Sequence, residues 1–234
     1  SPEMTRELSF ELEQSNAQLL TRFFHQVYLW MAVGLMLTAC VSFGIATFAP
    51  GLMIGSPAVA MVAALALFAI GWATQRAALQ ISAAAGIGLF LLYATVMGVL
   101  ISFVWVAYSM STIGSAFLLT GGVFGITTLI GFVTKTNLSK IGPILGMCAL
   151  GLFAASLINL FLASDAISWI ITYAVVIVFT GLLIYYTQTL KVFAIQNAGN
   201  EDMASRMAIV GALMLYVAFI NLFLAILRIL ASRK

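Results

Sequence analysis

Charge is scarce in this sequence. Its 234 residues hold ten Lys or Arg and seven Asp or Glu, 7% of the chain. A soluble domain carries about a quarter. Hydrophobic residues make up 63% and the mean hydropathy is +1.14, more than a soluble core needs. The excess of base over acid gives a net charge of +3 and a pI near 9.0. There is no basic cluster or stacking-aromatic motif beside it, so a nucleic-acid partner is excluded.

Histidine is scarcer still. The single His25 excludes two-histidine metal motifs and the multi-histidine zinc site of intramembrane hydrolases. With no G-x-S-x-G, it also argues against a serine catalytic set. No P-loop occurs, and no G-x-G-x-x-G at a strand-to-helix turn. The chain is therefore read as no enzyme, with no catalytic, cofactor or metal site. His25 is expected to anchor the membrane interface. Cysteine is limited to Cys40 and Cys148, both inside apolar runs and read as packed thiols, not a disulfide. The N-terminus lacks the basic-then-apolar order of a cleaved signal peptide.

What fills the sequence is long apolar runs. A spanning helix needs about 20 such residues. Seven runs qualify: 23–48, 58–73, 79–108, 113–133, 143–163, 167–187 and 208–230. The second is short and must borrow flanking residues, and the third is long enough to tilt or bend. None contains a carboxylate, the usual mark of a proton relay, which disfavours a carboxylate-driven transporter. The fold class is all-α, a polytopic membrane protein. Residues 1–20 form a polar, weakly amphipathic arm with Phe10, Leu12 and Leu19, and residues 21–234 form the seven-helix domain. Breakers separate the runs: "APGLMIGSP" at 49–57, "TKTNLSKIGP" at 134–143, and "NAGNED" at 197–202 in what reads as the longest loop. Pro143 suits the first turn of the fifth helix.

The bases orient the spans. Arg6, Arg22, Arg76, Lys135, Lys140, Lys191 and Arg206 occupy the arm and alternate loops, seven against none in the other loops. Positive charge stays on the cytosolic side. That predicts a cytosolic N-terminus and, with seven spans, a C-terminus outside. Arg228, Arg233 and Lys234 break the rule there, and six spans plus a re-entrant segment would restore it. Seven is preferred because the last run is full length.

Two small-residue pairs, Gly121 with Gly125 and Gly142 with Gly146, are spaced for close helix packing. The hexapeptide "INLFLA" occurs at 158–163 and again at 220–225, weak support for a duplication. In the last run Gly211, Met214, Ala218, Asn221, Ala225 and Arg228 fall on one stripe. Large apolar groups cover the other faces, so this helix is expected to be contacted on several sides, its stripe facing protein or a water-filled cavity. Arg228 lies 22 residues after Arg206, about 33 Å of helix, so it should reach the outer interface. Two readings stand for it, snorkelling toward headgroups and pairing with Asp165, the one acid on that side. Asn221 lies deeper and is expected to hydrogen-bond another helix.

Three segments carry a resemblance. "LYVAFINLFLAILRIL" (215–230) resembles the last helix of the Bax inhibitor-1 family, "TNLSKIGPILGMCALGL" (136–152) its fifth-helix signature and "FTGLLIYYTQTLK" (179–191) its sixth helix. The resemblance covers nearly the whole chain. It implies six helices around a central seventh. It also implies either a calcium-permeable leak or a regulator of cell death, stress response or membrane-protein quality control. In the leak reading an aspartate from the sixth helix and one from the seventh share a proton and close the pore. Tyr186 and Ala218 stand at those two positions here, so the carboxylate gate is gone. The expected pathway lining is Tyr186, Gln188, Ala218 and Asn221. The expected partners are the lipid bilayer of a bacterial inner membrane, calcium or another cation, and a membrane protease or other membrane protein.

Overall fold

A computed structural model of the chain describes residues 1–233. The element order is α1 (Pro2–Phe48), a 3-10 turn (Pro50–Leu52), α2 (Pro57–Gln80), α3 (Ala83–Leu100), α4 (Val104–Ala107), α5 (Met110–Val133), α6 (Ile141–Leu162), α7 (Asp165–Gln196) and α8 (Glu201–Ala231). Among the described residues there is no strand, and seven helices are long and apolar enough to cross a membrane, α3 and α4 counting together as one. In hydrocarbon the backbone must satisfy its own hydrogen bonds, which is why apolar runs of this length settle as helices.

Proline and serine set the helix starts. All four prolines lie at or near helix beginnings: Pro2, Pro50 and Pro57 in first turns, and Pro143 as the third residue of α6. Ser1, Ser56, Ser82, Ser109 and Ser164 each accept a hydrogen bond from the backbone N–H three residues on, and Asn200 does the same for α8. Each cap satisfies a donor that the helix leaves unpaired.

Several boundaries differ from the expected ones. Residues 2–20 continue α1 without a break, giving 47 residues, about 70 Å, more than twice the roughly 30 Å hydrocarbon core. The second span gains its length at its C-terminal end, through Gln80. The third run is broken, not bent: α3 stops at Leu100 and α4 restarts at Val104. No proline is involved. Ser102 turns its hydroxyl back onto Val99 O at 2.7 Å, a side-chain bond that competes with the helical ladder. Trp105 Nε1 then donates to Ser42 of α1 at 2.9 Å. The "NAGNED" loop is short, because α7 runs on to Gln196 and α8 begins at Glu201. Cys40 and Cys148 are unpaired as expected, but both are exposed and not packed.

α8 is the central helix. Of its most apolar 18 residues 72% are buried, against none for α6. It packs against α1, α2, α3, α5 and α7. The ring around it is incomplete: α6 packs on α7 and α2 and stands off from α8 across a cleft. α1 brings Phe23 to the core and, from Phe24 onward, Val27, Met31, Gly34, Thr38 and Ser42 at spacings of three and four. Gly34 is required there: a Cβ would meet Phe90 Cζ at 2.5 Å.

Candidate functional site: the cleft beside α8

The cleft between α6 and α8 has a volume of about 580 Å³. Gly146, Ala149 and Ser156 of α6 face Val217, Ile220, Asn221 and Leu224 of α8 across it. Leu150, Leu152, Phe153, Leu157 and Leu160 complete the α6 wall. A second cavity of about 270 Å³ continues toward the Arg206 end of α8, past Met214 and Leu213. The two share Leu67, Phe68, Tyr93, Phe179, Tyr186 and Val217. These side chains form the waist. A third cavity of about 300 Å³ lies between α1, α5 and α8, and Ile101 and Ile220 wall it from the first.

The expected pathway residues separate into three groups. Tyr186 stands at the waist, and Asn221 lines the larger cavity. Ala218 is completely buried and lines neither. Gln188 is not a lining group. Its amide holds the segment after α5, Oε1 accepting from Leu138 N at 3.1 Å and Nε2 donating to Thr136 O at 2.7 Å. Nearby, Lys191 Nζ donates to Phe132 O at 2.8 Å, near the C-terminal end of α5, where a cation is favourable. Asn221 departs from its expected interhelical bond as well. Its Nδ2 donates to Val217 O of its own helix at 2.8 Å. Ser156 likewise donates to Leu152 O at 2.8 Å. Two polar side chains on the cleft wall thus direct a donor onto their own helices.

The glycine pairs also divide. A Cβ on Gly142 would fall on the Tyr185 ring, so this glycine admits an aromatic side chain of α7. Gly146 faces the cleft, with nothing within 4 Å of a built Cβ. Gly121 and Gly125 are exposed and meet nothing either. The tight approaches in α5 and α8 are elsewhere, at Gly131 against Thr187 Cβ (2.7 Å) and Gly211 against Leu190 Cδ2 (2.9 Å). G-x-x-x-G spacing cannot show which face of a helix meets a neighbour.

At the far end of α8, Arg228 is held by α7. Nη1 donates to Ser168 Oγ and to Thr172 Oγ1, the latter at 3.1 Å. Nη2 lies 3.5 Å from Asp165 Oδ1, and the guanidinium carbon sits 4.2 Å from the centre of the Trp169 ring. Residues 165, 168, 169 and 172 share one helix face, so the first two turns of α7 make a complete cradle. The pairing of Arg228 with Asp165 is present, and the guanidinium is fixed to protein in this way instead of snorkelling free. The opposite end of α8 is tied too: Arg206 pairs with Asp202 at 3.0 Å and donates to Leu79 O of α2 at 3.2 Å. Among the described residues no group of His, Cys, Asp or Glu could hold a metal.

One functional-looking residue escaped the reading of the sequence. Tyr216 is fully buried on α8, and its ring meets Phe90 and Tyr93 edge-on at 5.6 and 5.9 Å. It sits beside the waist through Tyr93. A hydroxyl-bearing ring in an apolar helix was the available signal.

Residues 20–234 match the protein family described as Inhibitor of apoptosis-promoting Bax1. The chain is 38% identical to the inner membrane protein YbhL of Escherichia coli K12 over 236 residues, 97% of each chain. It is 37% identical to a protein of Deinococcus radiodurans over 94% of this chain and 95% of that one. It is 33% identical to a membrane protein of Streptococcus pyogenes serotype M3 over 90% and 92%. A family match over nearly the whole length, together with seven apolar helices and a buried last one, leads to one conclusion: the chain is an integral membrane protein of the Bax inhibitor-1 family.

Proposed function

We propose that the chain is a passive membrane pathway for a small cation, calcium being the case to test, and that it is closed sterically in this conformation. One observation carries the reading: two cavities run along α8 and meet at Tyr93, Phe179 and Tyr186. With tyrosine and alanine where the family pattern has carboxylates, no charge latch remains, and bulk at the waist takes its place. The membrane is the bacterial inner membrane, as for YbhL. The N-terminus is cytosolic and the C-terminus outside, following the distribution of bases. Calcium uptake into proteoliposomes tests this. Flux above that of empty vesicles, rising severalfold in Tyr186→Ala, supports it. Flux equal to empty vesicles in both sinks it.

A second reading is a non-conducting regulator of membrane-protein quality control or stress response. Residues 1–15 favour it, since they form an exposed helix available to a membrane protease or other membrane protein. Deletion of residues 1–20 tests this reading: unchanged recovery of partners would remove the arm from it.

A further inference from the structure

The cleft beside α8 opens sideways. Phe103, Phe68 and Leu150 line it and are 43%, 53% and 54% exposed, while Met97 and Leu67 on its deeper wall are 7% and 4% exposed. These rim residues belong to or adjoin apolar spanning helices, where the surrounding medium is hydrocarbon and not water. Across the mouth, Phe68 of α2 and Phe153 of α6 stack with ring centres 5.6 Å apart and planes 21° apart. Such a pair can part without breaking a hydrogen bond. We propose that this cleft is a binding site for one acyl chain of a bilayer phospholipid, entering between α2 and α6 beside the Phe68–Phe153 stack.

Size and wall chemistry select this occupant. Along α6 the cleft runs from Gly146 to Leu160, about 21 Å of axis. The cleft has a volume of about 580 Å³. It is ample for a single hydrocarbon chain. Polar side chains on the wall are few: Asn221 and Ser156 each direct a donor onto their own helix, at Val217 O and Leu152 O, Tyr93 and Tyr186 add two rings, and the rest is mostly Leu, Ile, Val, Phe, Ala and Met. Binding a chain there replaces an unfilled apolar space by dispersion contacts. The inference does not rest on conduction: a chain can fill the cleft of a regulator as well as that of a closed pathway.

The test is photolabelling of the full-length protein in phosphatidylcholine vesicles, with a diazirine placed in the acyl chain and labelled residues mapped by peptide mass spectrometry. Met97 and Leu67 report on the cleft, and Leu118 and Ile170, 76% and 68% exposed, report on the general lipid face. Labelling of Met97 or Leu67 in the parent is expected. Filling the cleft with Ala64→Trp or Ala149→Trp should reduce that labelling at least fivefold and leave Leu118 and Ile170 unchanged. Labels confined to outward residues, or labels on Met97 and Leu67 that neither filled variant reduces, overturn the proposal. Labelling there by the free diazirine fatty acid but not by the phospholipid overturns the assigned source. The parent measurement needs no variant to fold, and it succeeds or fails separately from calcium flux.

Discussion

Tyr216 of α8 donates its hydroxyl proton to Thr38 of α1. The direction follows from valence: Thr38 Oγ1 gives its only proton to Ala94 O of α3, at 2.8 Å, and so must accept from the tyrosine. Three helices are joined by two hydrogen bonds at a buried point. The two ends of the chain are therefore unequal. Tyr216→Phe leaves Thr38 bonded to Ala94 and should cost about 1 kcal/mol. Thr38→Val strands the buried phenol and should cost about 1–3 kcal/mol. Unfolding in detergent micelles should rank Thr38→Val as the more damaging change. The reverse order would mean that the proton runs the other way.

Arg228 and Asp165 predict a similar asymmetry. The carboxylate is almost fully exposed, with 89% of its side chain accessible, and exposed pairs contribute roughly 0–1 kcal/mol, less with screening. Asp165→Asn should be nearly silent in thermal unfolding. Arg228→Met should be clearly destabilising, because it leaves Ser168 and Thr172 without their donor and removes the stack on Trp169. Equal effects would make the ion pair the important contact.

Gly142 and Gly146 make an internal control. Gly142→Ala drives a methyl into the Tyr185 ring, and overpacking of this kind costs about 1–3 kcal/mol. Gly146→Ala meets nothing within 4 Å and should be neutral or slightly stabilising, since alanine favours helix over glycine. Comparable losses at both positions would place α6 differently.

Ala163 ends α6 with φ +49°, a left-handed conformation that strains any residue with a Cβ. Asn159 closes this turn, accepting from Ser164 N at 3.0 Å and donating to Ser164 O at 3.2 Å. Ala163→Gly should raise the melting temperature, by a free energy of order 1 kcal/mol. A fall would show that the turn is not left-handed in the membrane.

A pH prediction follows from the missing carboxylates. The candidate spans read from the sequence contain none, and an unperturbed tyrosine titrates near 10. Any calcium flux through the parent should change less than about twofold between pH 6 and 8. His25, the single histidine of the chain, is exposed midway along α1 and supplies the control variant. Placing two carboxylates back, Tyr186→Asp with Ala218→Asp, should create a pH dependence, since a close pair raises one partner's pKa. A steep transition in the parent that survives His25→Ala would refute the loss of the switch.

The spans were legible because hydropathy acts locally: about 20 apolar residues must become a helix in hydrocarbon, whatever surrounds them. The starts of α2, α3, α5 and α7 were legible too, in serines just ahead of the apolar runs, though that signal went unread. Arg228 and Asp165 could be paired from the sequence because helix rise and loop position put them at one end of the bundle. The face each residue presents was another matter. Asn221 and Asn159 sit in identical hexapeptides, yet one turns onto its own helix beside a cleft and the other closes a turn. Gln188 lies in the resembling sixth-helix segment, yet it clamps a loop.

The amino-acid sequence alone determined that this chain lives in a membrane and spans it as helices, with no Asp or Glu inside the seven apolar runs, since those properties depend only on which residues are present and in what order. Only the tertiary structure decided that α6 stands away from α8, because a gap is set by how two helices rest on their common neighbours. It likewise decided that Tyr186 stands at a waist while Ala218 is sealed away from it. Two positions on different helices have no relative orientation until both helices are packed.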